Sequence, residues 1–187
     1  MTNERIKFMK EVQPIRSLEK IQDMKLYLAK TGSRNVLLFS MGINVGLRIS
    51  DLLSLKVLDV RGRDEYILRE KKTKKTKRIM LHAVKQEIYE YTKNMADDEY
   101  LFASRKGGEP ISRVQAYRIL NKAAAAVGLE EIGTHTLRKT FGYHFYRKNQ
   151  NVAMLQQLFN HSSPSITMRY IGITQDEIAA EWSDFAL

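Results

Sequence analysis

The sequence predicts a mainly helical α+β chain with one small antiparallel sheet of three strands. Three observations carry that expectation. Apolar residues recur at helical spacing along most of the chain. The period breaks once, between about residues 56 and 83, where short β-branched and aromatic segments alternate with turn-like spacers. Most helical stretches open on a residue suited to capping, and several close on glycine.

Residues 18–30 (LEKIQDMKLYLAK) place Leu18, Ile21, Met24 and Leu28 on one stripe, with Ser17 as cap and Gly32 as stop. SRNVLLFSMGINVG reads as a more buried helix from Ser33 to Gly46. SDLLSL reads as a short helix capped by Ser50, with Asp51 in the first turn, where the helix dipole favours an anion. KVLDV, EYILRE and KRIMLHA are the three expected strands, with RGRD and KKTKKT as turns between them. Helix resumes over about 83–95, and DDEYLFASRKGGEP follows as a loop with a short extended piece. SRVQAYRILNKAAAAVGL is a strong helix ended by Gly128. THTLRKTFGYHFYRKN, NVAMLQQLFN and SPSITMRYIGI are three more helices. Ser163 before Pro164 is a favourable start, because proline at the first helical position gives up no hydrogen bond. The last stretch, TQDEIAAEWSDFAL, sets Ile178, Trp182 and Phe185 at helical spacing, a stripe that needs a surface to pack on.

A chain of 187 residues, 43% hydrophobic, can bury one compact core. The formal net charge of +10 favours a polyanionic partner, nucleic acid before membrane. No apolar run is long enough to span a bilayer, and the first residues lack the apolar centre of a signal peptide. Cysteine is absent, which excludes disulfides and thiolate metal sites and points to the cytoplasm.

Four places could carry chemistry. In GLRISDLL, Arg48 lies between apolar segments with Asp51 three residues on; the two could form a structural pair, or the carboxylate could orient an anion-holding arginine. KKTKKTKR has six basic residues in eight, read either as a solvated hairpin or as a lysine carried into a nucleic-acid groove; Lys71, Lys72, Lys74, Lys75, Lys77 and Arg78 are the candidates. In THTLRKTF, His135 and Arg138 share one face of a helix entry turn, a place that favours anions. In HSSPSITMRY, Tyr170 is either a half-buried core tyrosine or a nucleophile nine residues after His161. Taken together, two arginines, two histidines, a lysine and a tyrosine suit phosphoryl transfer without a metal. Arginine matches phosphate oxygens, tyrosine can attack covalently, and lysine can protonate a leaving alkoxide.

In order and spacing, GLRISDLLSL, the lysine-bearing hairpin, HTLRKTF and FNHSSPSITMRYI resemble the tyrosine recombinases, or phage integrases, from about residue 17 to 175. The resemblance implies that family's catalytic-domain fold over residues 17–173, with 1–16 as an extension and 174–187 as a tail helix. It implies that Arg48 and Arg138 hold the scissile phosphate, that His135 assists removal of the phenolic proton, and that His161 hydrogen-bonds the phosphate. Tyr170 would attack, leaving a 3′-phosphotyrosyl link, and Lys72 would protonate the 5′-oxygen, with Lys71 and Lys74 as competitors. Asp51 would support Arg48. Double-stranded DNA is the implied partner, with self-association from dimer to tetramer on it, the tail docking on a neighbouring protomer or in cis, and no metal or cofactor. A type IB topoisomerase-like nicking-resealing activity and an inactive DNA-binding regulator on the same fold are the rival readings. Two departures stand out: Phe159-Asn160 replace the usual Leu-Gly before the histidine, and Met80 replaces a common proline. Asparagine tolerates the left-handed geometry a helix end needs. Only about sixteen residues precede the resembling region, where most members carry a helical domain that completes a clamp on DNA.

Overall fold

The computed structural model describes residues 12–70, 72, 74–130 and 132–174, with positions 177, 179 and 183. Helices α1 (Leu18–Ala29) and α2 (Ser33–Val45) pack side by side. The hydroxyl of Ser17 accepts from the Lys20 N–H and caps α1, as expected. Gly46 ends α2 in the left-handed region (φ 65°), also as expected. The turn then runs into the four-residue helix α3 (Ile49–Leu52), whose N-cap is Arg48 rather than Ser50.

The sheet has two strands among the described residues, β1 (Glu65–Arg69) and β2 (Thr76–Met80), paired antiparallel with Leu68 opposite Lys77 and Tyr66 opposite Ile79. The expected first strand, KVLDV, is instead the short helix α4 (Val57–Val60). There the Asp59 carboxylate accepts from the Lys56 N–H, closing a turn, and Val57 and Val60 bury the same face three residues apart. The mainly helical α+β class stands; a four-residue segment with an acidic residue at its third position is short enough for one cap to decide its form.

After β2, a 3-10 turn (His82–Val84) leads into α5 (Lys85–Thr92). The following loop pairs Lys56 with Tyr100 and Ala103 with Pro110. Helix α6 (Arg113–Ala126) starts at Ser112, whose hydroxyl accepts from Gln115 N–H. Then come α7 (Thr134–Asn149), α8 (Val152–Phe159) and α9 (Pro164–Ile171). The main core gathers residues of α1 to α7 and of both strands. A second cluster, Leu155, Phe159, Ile171 and Ile173, joins α8 to α9 and packs on Phe141 and Phe145 of α7.

Helix α7 therefore belongs to both cores, and Gly142 is where α8 and α9 approach it. A Cβ there would stand 2.6 Å from Ile171 Cγ2 and 2.8 Å from Phe159 Cε2. Exchanging glycine for alanine in a helix interior normally adds about 0.5–1 kcal/mol. Here overpacking outweighs that gain, so Gly142→Ala is expected to lower stability by roughly 1–3 kcal/mol in urea denaturation.

Candidate active site

Three backbone features bring distant side chains to one place. Arg48 follows the left-handed end of α2 by two residues. His135 and Arg138 occupy the first turns of α7, whose entry is closed by the Thr136 hydroxyl accepting from the Gly133 N–H. His161 follows Asn160, which ends α8 in the left-handed region at φ 54°. Asparagine thus keeps the geometry expected of it at a glycine position. Ser163 and Pro164 then start α9, with the Ser163 hydroxyl accepting from Ile166 N–H, and Tyr170 lies near that helix's end.

Arg138 is buried. Its Nη1 donates to Gly46 O (2.6 Å) and its Nη2 to Phe159 O (3.1 Å), while the guanidinium carbon lies 4.2 Å from the Phe159 ring centroid. The Tyr170 hydroxyl is 3.5 Å from His135 Nδ1. The rings of His161 and Tyr170 meet edge-on with centroids 5.1 Å apart. Thr167 Oγ1 engages His161 Nδ1 at 3.0 Å, so Nε2 is the ring nitrogen not committed there. Burial pushes the Tyr170 phenol above its ordinary value, while Arg138 and Arg48 pull it back down. Burial, then Arg138, holds both His135 and His161 below the ordinary imidazole value. Two guanidiniums, a half-buried phenol and two imidazoles thus meet in one place, a set that can hold an anion. Among the described residues, no cluster of His, Asp or Glu is placed to hold a metal ion.

A sequence model described as "Phage integrase family" matches residues 13–177. The chain belongs to that family. It is 61% identical over 175 residues to "Probable integrase/recombinase YoeC" of Bacillus subtilis (strain 168), covering 93% of this chain and 97% of that protein. It is 31% identical to tyrosine recombinase XerD of Corynebacterium glutamicum over 73% of this chain and 47% of that protein, so it spans about half of that relative. Among solved structures, XerA recombinase superposes with a TM-score of 0.75 at 19% identity, over 93% of this chain and 64% of that one. The fold is that of a tyrosine recombinase catalytic domain.

Within this recombinase domain, Arg48, His135, Arg138, His161 and Tyr170 surround one pocket. The hairpin residues divide. Lys72 is exposed at the tip, and its charge reaches His135. Lys74 is exposed with φ 59°. Lys75 Nζ donates to Asn160 Oδ1 at 2.8 Å, tying the hairpin to the His161 turn. Arg78 points outward and pairs with Glu65 at 3.4 Å. Lys77 does not join this outward set: two residues before buried Ile79, it takes the inner face of β2, where burial, then Arg138, lowers its ammonium to about 8. Lys71 and the tail residues Ile178, Trp182, Phe185 and Leu187 lie outside the described residues.

Asp51 is fully buried, and its charge reaches Arg138 and Lys77. The carboxylate at ion-pair distance from Arg48 is Glu70, 2.6 Å away and 3% exposed. Sequence reasoning missed Glu70, although it stands at the same alternation as Leu68 on β1. It also missed Lys139, which is buried with its ammonium 5.3 Å from the Tyr170 ring centroid. Nothing in the helical period of α7 marks position 139 as buried, because α7 is covered from two sides.

The lowered imidazole values fix the sign of a pH effect. The unfolded chain takes up protons on these histidines before the folded one does. Their contribution to stability is therefore lost as pH falls from the ordinary imidazole value toward the lowered folded values. NMR titration is expected to show His135 and His161 both titrating below the ordinary value, and Arg138→Gln moving both upward.

Proposed function

We propose that the protein is a site-specific DNA recombinase of the integrase or invertase type, cleaving and rejoining strands through a 3′-phosphotyrosyl intermediate at Tyr170. The observation that supports this most is the convergence of the Tyr170 hydroxyl with His135, at 3.5 Å, beside the Arg138 and Arg48 guanidiniums. A raised phenol is a poor nucleophile until its proton has an acceptor. A neutral His135 can accept it, and the two arginines stabilise both the phenolate and the charge that grows on the phosphorane oxygens. His161, held by Thr167, orients the phosphate. A hairpin lysine gives the leaving 5′-oxygen its proton: Lys72 by resemblance, with Lys77 as the competitor on the inner face.

Double-stranded DNA is the substrate, and protomers assemble on it from dimer to tetramer. Relatives with this fold are described as XerH bound to its difH substrate and as a lambda integrase dimer bound to a COC′ core site. We place the reaction in the cytoplasm, at the nucleoid, because that is where such a DNA substrate lies; among the described residues no helix is long and apolar enough to cross a membrane. Residues 17–173 would form the catalytic domain, and the basic surface makes DNA affinity fall steeply with salt.

Incubation with a suicide DNA substrate in EDTA is expected to trap a covalent adduct at Tyr170, absent in Tyr170→Phe; an adduct at another tyrosine would refute the assignment. Arg138→Ala is expected to slow adduct formation roughly 10²–10³-fold while weakening DNA binding far less. Equal losses would make Arg138 a DNA anchor. A substrate with a 5′-bridging sulfur, which leaves without a proton, is expected to restore cleavage in Lys72→Ala. Restoration in Lys77→Ala alone would move the proton donor to the inner face of β2.

A further inference from the structure

We propose that Glu70 is a stand-in for the scissile phosphate: its carboxylate holds Arg48 while DNA is absent and gives that guanidinium up when the phosphate enters. The inference deepens the recombinase reading and rests on it for the identity of the incoming anion.

Glu70 is an acidic side chain inside a pocket otherwise built to attract anions. It is 3% exposed, directly after β1 and on the inner face of the hairpin. Its backbone is pinned from both sides, Glu70 N–H donating to Lys75 O at 2.9 Å and Lys74 N–H to Glu70 O at 3.0 Å. Its place on the inner face of the hairpin sets the side chain against Arg48. Its Oε2 lies 2.6 Å from Arg48 Nη1, yet that buried nitrogen makes no hydrogen bond among the described residues. The two groups attract by charge, but the donor is not aligned on the carboxylate. A ligand with correctly directed oxygens can therefore gain a bond that Glu70 does not make.

Charge balance points the same way. Arg48, Arg138 and Lys77 face Glu70 and Asp51 in this pocket. Buried cations without a counter-charge are costly, so the DNA-free pocket needs a carboxylate near Arg48. A phosphodiester brings its own negative charge to the same guanidinium, and the two anions then repel at close range. Arg138 needs no such placeholder to hold its position, because Gly46 O and Phe159 O take two of its five N–H donors and leave the others for an anion.

A residue that merely anchors Arg48 and one that competes with phosphate predict opposite signs on removal of its charge. The probe is inorganic sulfate, its affinity read from thermal stabilisation of the whole protein. Glu70→Gln keeps the size and loses the charge; it is expected to bind sulfate about tenfold more tightly than the unsubstituted protein. Adding Arg48→Gln is expected to abolish that gain. Where Glu70→Gln does not fold, Glu70→Asp, one methylene shorter, is expected to tighten sulfate binding in the same direction. Sulfate affinity that is unchanged or weaker in both variants would overturn the proposal, as would a gain that survives Arg48→Gln. The sulfate comparison needs no cleavage, so a protein that forms no adduct at all would sink the recombinase reading and leave this one standing on its own data.

Discussion

The guanidinium of Arg138 is the constraint on which the site depends. Helices end with carbonyls that have no partner within the helix. Arg138 fills two such ends at once, Gly46 O after α2 and Phe159 O at the end of α8. Those carbonyls lie two residues before Arg48 and two before His161. One buried side chain thus fixes the backbone from which two other site residues depart, while its own helix carries His135 one turn earlier. The Phe159 ring beneath it seals the pair from solvent and touches Tyr170 edge-on at 5.5 Å. A lysine in its place could not serve both carbonyls, because an ammonium lacks the planar fork that spans them.

The electrostatics follow from that burial. Burial, then the positive charge of Arg138, lowers His135 and His161 below the ordinary imidazole value, and the two arginines oppose the cost of ionising a half-buried phenol. A phenol whose pKa is raised by desolvation is inert by default. Its activation depends on groups that act only when it is docked against them, and each comes from a different element: His135 from α7, Arg48 from the turn after α2, Thr167 with His161 from α9 and the turn before it. Gly142 supports this docking from below, since a bulkier residue would push Phe159 and Ile171, and with them α9, away from α7.

How much of this was legible in the sequence depended on how local each signal was. Caps at Ser17 and Ser163 and the stop at Gly46 are decided within a few residues, and they stand in the structure as read. The motif residues were legible because order and spacing together are far more specific than any one motif. KVLDV misled because two buried valines three apart serve a helix as well as a strand serves alternation, and the Asp59 cap settled it. Glu70 and Lys77 were hidden by composition. A dense run of charged residues reads as a solvated face, whereas the register of β1 and β2 turns Lys77 inward opposite Leu68, and Glu70 follows on the same side. Lys139 was hidden by topology, since burial on that side of α7 comes from α9, a contact between segments about thirty residues apart.

The hairpin carries the consequence of that register. Its outer face and tip present Lys72, Lys74 and Arg78 to solvent, while its inner face presents Glu70 and Lys77 to the arginines. Lys75 ties the same hairpin to Asn160, the residue that sets His161 in place. A shift of the tip is therefore felt in three places together: at the charge beside Arg48, at the turn that holds His161, and at the exposed lysines of the tip. Two short strands with few cross-strand bonds are among the cheaper elements of a fold to move. An element of that kind, tied to the site by a carboxylate at Arg48 and a lysine at Asn160, is well suited to register whether an anion is present. The helices around Arg138 are joined instead through two carbonyls held by one buried side chain.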